Sequence, residues 1–250
     1  MKIGIIGLGL IGGSIYRDLQ QLDYDVVAVS QSQNGSNIYK NFKILKTCDL
    51  VFVCSPMNKT LDILDKLENI LSTNTIVSDV CSLKTFVSKK KRPYKFIPSH
   101  PMAGTEHQGF ENSMSGLFKG KKWVITPVFG EDGTLIDIIR ELGAEPIITT
   151  PEKHDEAAAL ISHMPMLIAQ AIFKTAEDNE LALQMASSGF RDMTRLAMSN
   201  VEMANDMILM NSENIQTSIL KLYKSIGDLT NSNYLPQIKE IKSKRQTMFL

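Results

Sequence analysis

The sequence predicts an α/β protein in which a doubly wound parallel sheet is followed by an all-helical domain. Short β-branched runs alternate with helical stretches through residues 1–150, the pattern of a parallel sheet covered by helices on both faces. A glycine-rich turn joins the first such run to the first helical stretch. After Thr150-Pro151 the strand patterns stop, and apolar residues recur at helical spacing through residues 151–250.

The strand signals are Lys2 to Ile6, Asp25 to Val29, Leu50 to Cys54, Thr75 to Ser78, Lys95 to Pro98, Trp123 to Thr126 and Glu145 to Thr149, and these runs fit one doubly wound sheet. In the helical half, Ile215, Ile219, Leu222, Ile226 and Leu229 draw one stripe along a helix. That half is roughly 100 residues, small for an independent core. Met185, Met193, Met198, Met203, Met207 and Met210 add adaptable apolar surface. A homodimer through the C-terminal helices is expected, against the plainer reading that the methionines fill a core within one chain.

Composition excludes several classes of partner. The 250 residues are 43% hydrophobic and 22% charged, enough for a substantial core. Lys plus Arg and Asp plus Glu both number 27, so no overall charge holds the chain to nucleic acid or to an anionic membrane. No signal peptide precedes the first strand and no apolar run reaches about 18 residues, so a cytoplasmic location is expected. Cys48, Cys54 and Cys81 lie in or beside apolar runs without a C-x-x-C pair, and are expected to be reduced core thiols with no metal. The basic run from Lys89 to Arg92 is expected to be a solvated helix end.

The glycine turn reads Gly7-Leu8-Gly9-Leu10-Ile11-Gly12 and opens a helical stretch that runs to Leu22. Gly7 serves the tight turn, Gly9 lets backbone approach a pyrophosphate, and Gly12 lets helix and strand pack closely. The N–H groups of the helix start, at Leu10 and Ile11, are free to bind the phosphates. In this setting the pattern marks a Rossmann-type dinucleotide site, with Ser55 and Pro56, just past the third strand, on the same cofactor edge. An acidic residue at the end of the second strand would bond the ribose of NAD. Here Ser30, Gln31, Ser32 and Gln33 offer hydroxyls and amides and no carboxylate, which favours NADP over NAD, although no Arg stands beside them.

The chemical signal lies in Ser99-His100-Pro101-Met102-Ala103-Gly104-Thr105-Glu106, read as a loop after the fifth strand. Loops at the carboxyl ends of parallel strands overhang the cofactor cleft. Three further segments belong with it: Asp79-Val80-Cys81-Ser82-Leu83-Lys84, Ser162-His163-Met164-Pro165, and the stretch from Ser187 to Arg195. The motifs D-V-x-S-x-K, H-P-M-x-G-T, S-H-x-P and S-G-F-R-D-x-T-R, in that order behind the glycine turn, resemble the prephenate/arogenate dehydrogenase family, closest to its short single-activity arogenate dehydrogenases. The resemblance runs from Met1 to about Asn211. It implies hydride transfer from a ring carbinol to nicotinamide with loss of carbon dioxide. It leaves no room for a fused chorismate mutase or a C-terminal regulatory domain, so feedback control through such a domain is not expected.

The resemblance also implies roles. A neutral imidazole suits proton abstraction near working pH, and His100 matches the family's base. Ser82 matches a serine that bonds the reacting hydroxyl. Arg195 matches the cation for substrate carboxylate, a role for which a guanidinium fork is well shaped. His163 is expected to face the cleft and bond substrate. Glu106 would pair with Arg195 or with the amino group of arogenate, while Asp79, Lys84, Thr105 and Asp192 would support the site. His107 and His154 are read as surface residues. Arg191 and Asp192 could simply pair with each other. Many relatives carry a large aromatic residue near the position of Ala204, which is absent here. The same fold order also serves β-hydroxyacid dehydrogenases and imino-acid reductases, but no Lys after Thr150 has the Asn four residues on that the hydroxyacid enzymes share.

Overall fold

The computed structural model describes residues 1–104, 107–231 and 234–248. Its first half contains β1 (Lys2–Ile6), α1 (Leu10–Gln21), β2 (Asp25–Val29), β3 (Ile38–Tyr39), β4 (Leu50–Val53), α2 (Met57–Leu67), β5 (Ile76–Asp79) and β6 (Lys95–Phe96). These strands form one parallel sheet in the order β3-β2-β1-β4-β5-β6. The order reverses between β1 and β4, which is where such sheets open a crevice for a ligand. Because Ile6 pairs with Val53, the turn at Gly7 and the chain at Cys54 leave the sheet side by side.

The strands read as continuous apolar runs because both faces are buried. Val26, Ala28, Leu50 and Phe52 enter one core cluster, while the alternate residues Val27, Val29, Val51 and Val53 enter another on the opposite face. The first cluster also holds Ile15 and Leu19 of α1, and the second holds Leu64 and Leu67 of α2.

The single sheet expected from the sequence is instead two. β7 (Ser99–Pro101), β8 (Lys122–Ile125) and β9 (Glu145–Ile148) form a separate three-stranded sheet, in which β7 runs antiparallel to β8. The segment around His100, expected as a loop, is therefore a strand. Alternation along it turns Ser99 and Pro101 into the core and leaves His100 half-buried on the other side. The two sheets are joined through Ser99, whose hydroxyl meets Ser78 Oγ at 2.8 Å and accepts from the Trp123 indole N–H at 2.9 Å.

After α3 (Gly133–Glu141) the chain is helical: α4 (Pro151–Ala158), α5 (Met164–Ala176), α6 (Glu180–Gln184), α7 (Ser188–Thr194), α8 (Val201–Met210), α9 (Ser212–Asn231) and α10 (Tyr234–Met248). Thr150 caps α4 by accepting from the Lys153 N–H, and Pro151 stands in the first turn, where its missing donor costs nothing. Residues Ala159–His163 widen into a π turn between α4 and α5. Pro165 accounts for it, since the proline ring cannot donate to the carbonyl four residues back and would collide with it in a regular helix. Within the continuous helical stretch Pro151–Ala176 an 18-residue window has mean hydropathy 1.3, long and apolar enough to cross a membrane by length and composition alone, although no uninterrupted apolar run reaches that length. Only 28% of that window is buried within one chain.

The basic run is also placed differently from expectation. It begins at the last residue of a 3-10 turn, and Arg92 is buried with its guanidinium on Asp65 of α2 and Glu68 at that helix's C-cap, where Lys90 joins it. All three cysteines are free thiols; Cys48 and Cys81 are buried and Cys54 half-buried.

Candidate active site

The glycine turn has the shape the sequence requires. Gly7 has φ +88°, and a Cβ there would stand 2.4 Å from the Cys54 carbonyl oxygen. A Cβ on Gly12 would meet the Gly7 carbonyl oxygen at 2.0 Å, so helix and strand touch through that position. A Cβ on Gly9 meets nothing within 4 Å, which leaves an open cradle above the turn. The start of α1 has no side-chain cap and no acidic residue in its first turn, so the N–H groups around Leu10 and Ile11 remain for an anion. A dinucleotide pyrophosphate fits this cradle. Ser55 bonds Thr60 at 2.9 Å and Pro56 caps α2, which fixes the neighbouring rim.

At the end of β2, Ser30 Oγ accepts from the Gln33 N–H at 3.1 Å and lies 3.5 Å from Ser32 Oγ. No Arg stands beside this loop in the sequence. The fold supplies a lysine instead, because the short β3 pairs with β2 and brings back Lys40, whose Nζ donates to the carbonyls of Gln31 at 3.0 Å and Gln33 at 2.7 Å. Gln31 returns a bond from Nε2 to the Lys40 carbonyl at 3.1 Å.

The segments carrying D-V-x-S-x-K and H-P-M converge below the cleft. Lys84 is fully buried, ion-paired with the equally buried Asp79, and donates to the Ser99 carbonyl at 2.6 Å. Asp79 also accepts from the Cys81 N–H at 3.0 Å, folding the chain back so that half-buried Ser82 stands at the end of β5. A lysine without its carboxylate here would be an unpaired buried charge, so the pair holds β5 and β7 in place.

The largest departure from the sequence reading is His154, read as a surface residue and found 4% exposed against His100. Its Nε2 lies 2.9 Å from His100 Nδ1, and its own Nδ1 lies 2.7 Å from Asp155 Oδ1. Asp155 in turn accepts from the backbone N–H groups of Lys84 at 2.8 Å and Thr85 at 2.9 Å. The first helix of the helical half is thereby tied both to His100 and to the Ser82 segment. Burial raises the Asp155 carboxyl, but the bonds from His154, Thr85 and Lys84 outweigh it and hold the group below the usual range, as a carboxylate. Burial, reinforced by the facing His154, Lys84 and His163, pushes His100 well below the ordinary imidazole range, so it is neutral at working pH. In sequence, the mark of His154 is only the carboxylate beside it, and surfaces are full of such pairs.

His163 is corrected as well. It is 1% exposed, with Nδ1 accepting from the Asn211 side-chain amide at 3.1 Å, and the same amide donates to the Asp155 carbonyl at 2.9 Å. Burial lowers its pKa to about 4. It is a neutral, satisfied histidine in the wall behind His154 and Asp155 and does not line an open cleft. His107 is exposed, as expected.

The structure does not join Arg195 to His100. Arg195 begins the 3-10 turn after α7 and is exposed; among the described residues it shows no hydrogen bond or ion pair. The next residue, Leu196, packs on the cluster of Met57, Cys81, Leu83, Met166, Ala204 and Met207 that underlies the Ser82 segment. An open hollow of about 350 Å³, lined by Ala186, Ser187, Ser188, Phe190 and Arg191, occupies the S-G-F-R motif. Arg191 and Asp192 pair at 3.5 Å on the surface. Thr105 and Glu106 lie outside the described residues. Ala204 is buried in its own chain's cluster.

A Rossmann-type dinucleotide domain whose strand ends carry a neutral histidine backed by a histidine and a carboxylate defines the class: a nucleotide-binding α/β protein with an appended helical domain. The family model for the prephenate dehydrogenase nucleotide-binding domain matches residues 23–160 and that for the prephenate dehydrogenase dimerization domain matches residues 150–235. The chain belongs to the prephenate dehydrogenase family. It is 27% identical over 235 residues to prephenate dehydrogenase of Lactococcus lactis, covering 85% of this chain and 65% of the relative, so the chain spans about two thirds of that protein's length. Synechocystis arogenate dehydrogenase superposes with TM-score 0.84 at 29% identity, covering 99% of this chain and 100% of that one. Aquifex aeolicus prephenate dehydrogenase, solved with hydroxyphenyl propionate and NAD+, superposes with TM-score 0.87 at 27% identity over 99% of this chain and 98% of that one.

Proposed function

We propose that the protein oxidises arogenate to tyrosine with NADP, removing hydride from the ring carbinol and losing the ring carboxylate as carbon dioxide. The observation that carries this reading is the neutral, half-buried His100 on β7, with its Nδ1 already engaged by His154. Engagement at Nδ1 leaves Nε2 as the ring's basic atom, the one able to take the substrate hydroxyl proton. Ser82 orients that hydroxyl, and Arg195 binds a substrate carboxylate through its exposed fork. Bound nicotinamide supplies the hydride acceptor. Asp79 and Lys84 hold the two loops, and the buried wall of His163 and Asn211 excludes water from the back of the base.

The whole-length likeness to an arogenate dehydrogenase supports the amino-bearing substrate. The likeness to the Aquifex enzyme favours, as a second reading, prephenate giving 4-hydroxyphenylpyruvate. NADP is supported by the carboxylate-free loop at Ser30 to Gln33 and by Lys40, which spends two of its three N–H donors on loop carbonyls and keeps one for a 2′-phosphate. A charge-assisted bond of this kind contributes about 1.5–3 kcal/mol, on the order of ten- to a hundredfold in affinity. The test is a set of initial rates with arogenate and prephenate, each crossed with NADP and NAD, in wild type and Lys40→Gln. Arogenate with NADP is expected to give the highest kcat/KM, and Lys40→Gln to raise KM for NADP while leaving KM for NAD alone. Equal use of both cofactors in the wild type, or a Lys40→Gln effect on both, removes the NADP reading.

The exposed flank at Arg195 is apolar: Met193, Met198 and Val201 are 61%, 67% and 81% exposed. A second copy of the chain covering this face completes the dimer and closes the substrate side of the site.

A further inference from the structure

His100, His154 and Asp155 form an unbranched row of hydrogen bonds running from the cleft into the helical half. Proton positions along it follow from the inner end. Asp155, an ionised carboxylate, only accepts, so His154 carries its proton on Nδ1. In a His154 ring with Nδ1 as its single N–H, Nε2 is a lone pair, and His100 donates to it from Nδ1. Both tautomers are thereby fixed before substrate arrives.

We propose that His154 is a proton carrier as well as a positioning residue: when His100 Nε2 takes the substrate hydroxyl proton, the His100 Nδ1 proton passes to His154 Nε2. The substrate O–H bond breaks as the His100 Nε2–H bond forms. The His100 Nδ1–H bond breaks as the His154 Nε2–H bond forms, and no electrons leave the row beyond the lone pairs used. His100 ends neutral with its proton on Nε2, and the positive charge ends on His154, 2.7 Å from the Asp155 carboxylate. The row resets in reverse when product leaves.

The surroundings favour this endpoint over a charge held on His100. Burial is the first obstacle to a cation on His100, and His154 from α4 and the Lys84 ammonium from the segment after β5 add to it, with His163 of the π turn facing the same ring. The charge of Lys84 is matched by Asp79, and that of a protonated His154 by Asp155, so each cation has its own carboxylate. His163 is itself held neutral and adds no charge. The identity of the proton donor rests on the proposed function; the tautomers and the row do not.

Two substitutions separate carrying from positioning. In His154→Gln an amide oxygen can still accept from His100 Nδ1 but cannot hold a proton, whereas His154→Leu removes both functions. Single-turnover nucleotide reduction, followed in mixtures of H2O and D2O, is expected to give a bowed dependence on deuterium fraction in the wild type, since two protons move together. His154→Gln is expected to give a straight line and a rate lowered roughly ten- to a hundredfold with substrate KM unchanged, and His154→Leu to lose more. A straight line in the wild type, or a bowed one in His154→Gln, overturns the proposal. Independently of turnover, 15N spectra of histidine-labelled enzyme are expected to show both rings protonated at Nδ1. A His100 ring protonated at Nε2 in the resting enzyme overturns the row whatever the substrate. Absence of nucleotide reduction by the wild type with either ring acid, beside the expected 15N pattern, contradicts the proposed function instead.

Discussion

His163 shows how one side chain's surroundings become a property of the whole protein. Its folded pKa of about 4 lies below the ordinary imidazole value near 6.5, so between those values the unfolded chain binds a proton that the folded chain refuses. The stability this represents is fully present above about pH 6.5 and drains away as pH falls toward 4. From pH 7 to 5 it amounts to about 2 kcal/mol. His100, also held neutral by burial and by the facing His154, Lys84 and His163, drains stability in the same direction. Wild type is therefore expected to lose more Tm between pH 7 and 5 than His163→Gln, in which the amide can still bond Asn211. Parallel melting curves for the two would show that the ring is not held neutral. At this scale the sequence was uneven. Ser82, His100 and Lys84 sat in motifs that the family resemblance singled out, but the roles proposed for His154 and Lys40 rest on pairings distant in the chain. The first touches His100 across 54 residues, and the second reaches the cofactor loop through a two-residue strand too short to leave a period-2 pattern.

Among the elements, the glycine turn was the most legible because every glycine in it answers to a distinct steric demand. Those demands predict opposite outcomes for two substitutions of the same size. Gly12→Ala forces a methyl against the Gly7 carbonyl oxygen and is expected to lower Tm by many degrees or prevent folding. Gly9→Ala places its methyl in open space and is expected to melt as the wild type does while binding NADPH at least tenfold more weakly, measured by fluorescence titration. Unaltered NADPH affinity in a stable Gly9→Ala protein would place the pyrophosphate elsewhere. Apart from the two-residue β3, the strands of the first sheet were readable from their apolar runs. What periodicity could not convey was that the chain at Ser99 leaves that sheet and pairs antiparallel with β8, since pairing partners are a tertiary choice. The π turn was equally hidden. Pro165 gave notice of a break, yet only the coordinates show the helix continuing through it and turning His163 inward.

For the molecule as a whole, the helical half exposes more apolar surface than a lone subunit has reason to carry, with Met185, Leu209, Leu220 and Tyr223 at 73%, 68%, 69% and 78%. The stripe predicted on α9 begins in the core at Ile215 and runs out to exposed Ile226. Sedimentation is expected to show a dimer at micromolar concentration, with specific activity falling on dilution as the flank beside Arg195 opens. A monomer with undiminished activity would remove the second subunit from the site. The division into a sheet half and a helical half was visible in the switch from strand to helical periodicity, while the convergence of Arg195 with His100 was not reproduced within one chain. The account depends most on His100 acting as a base above a bound dinucleotide, and His100→Asn measures that directly. Wild type should reduce NADP steadily with arogenate. His100→Asn should bind NADPH with unchanged Kd and lose kcat by roughly 10²- to 10⁴-fold. A His100→Asn protein that keeps its turnover, or a wild type that binds NADPH and reduces nothing, would contradict it.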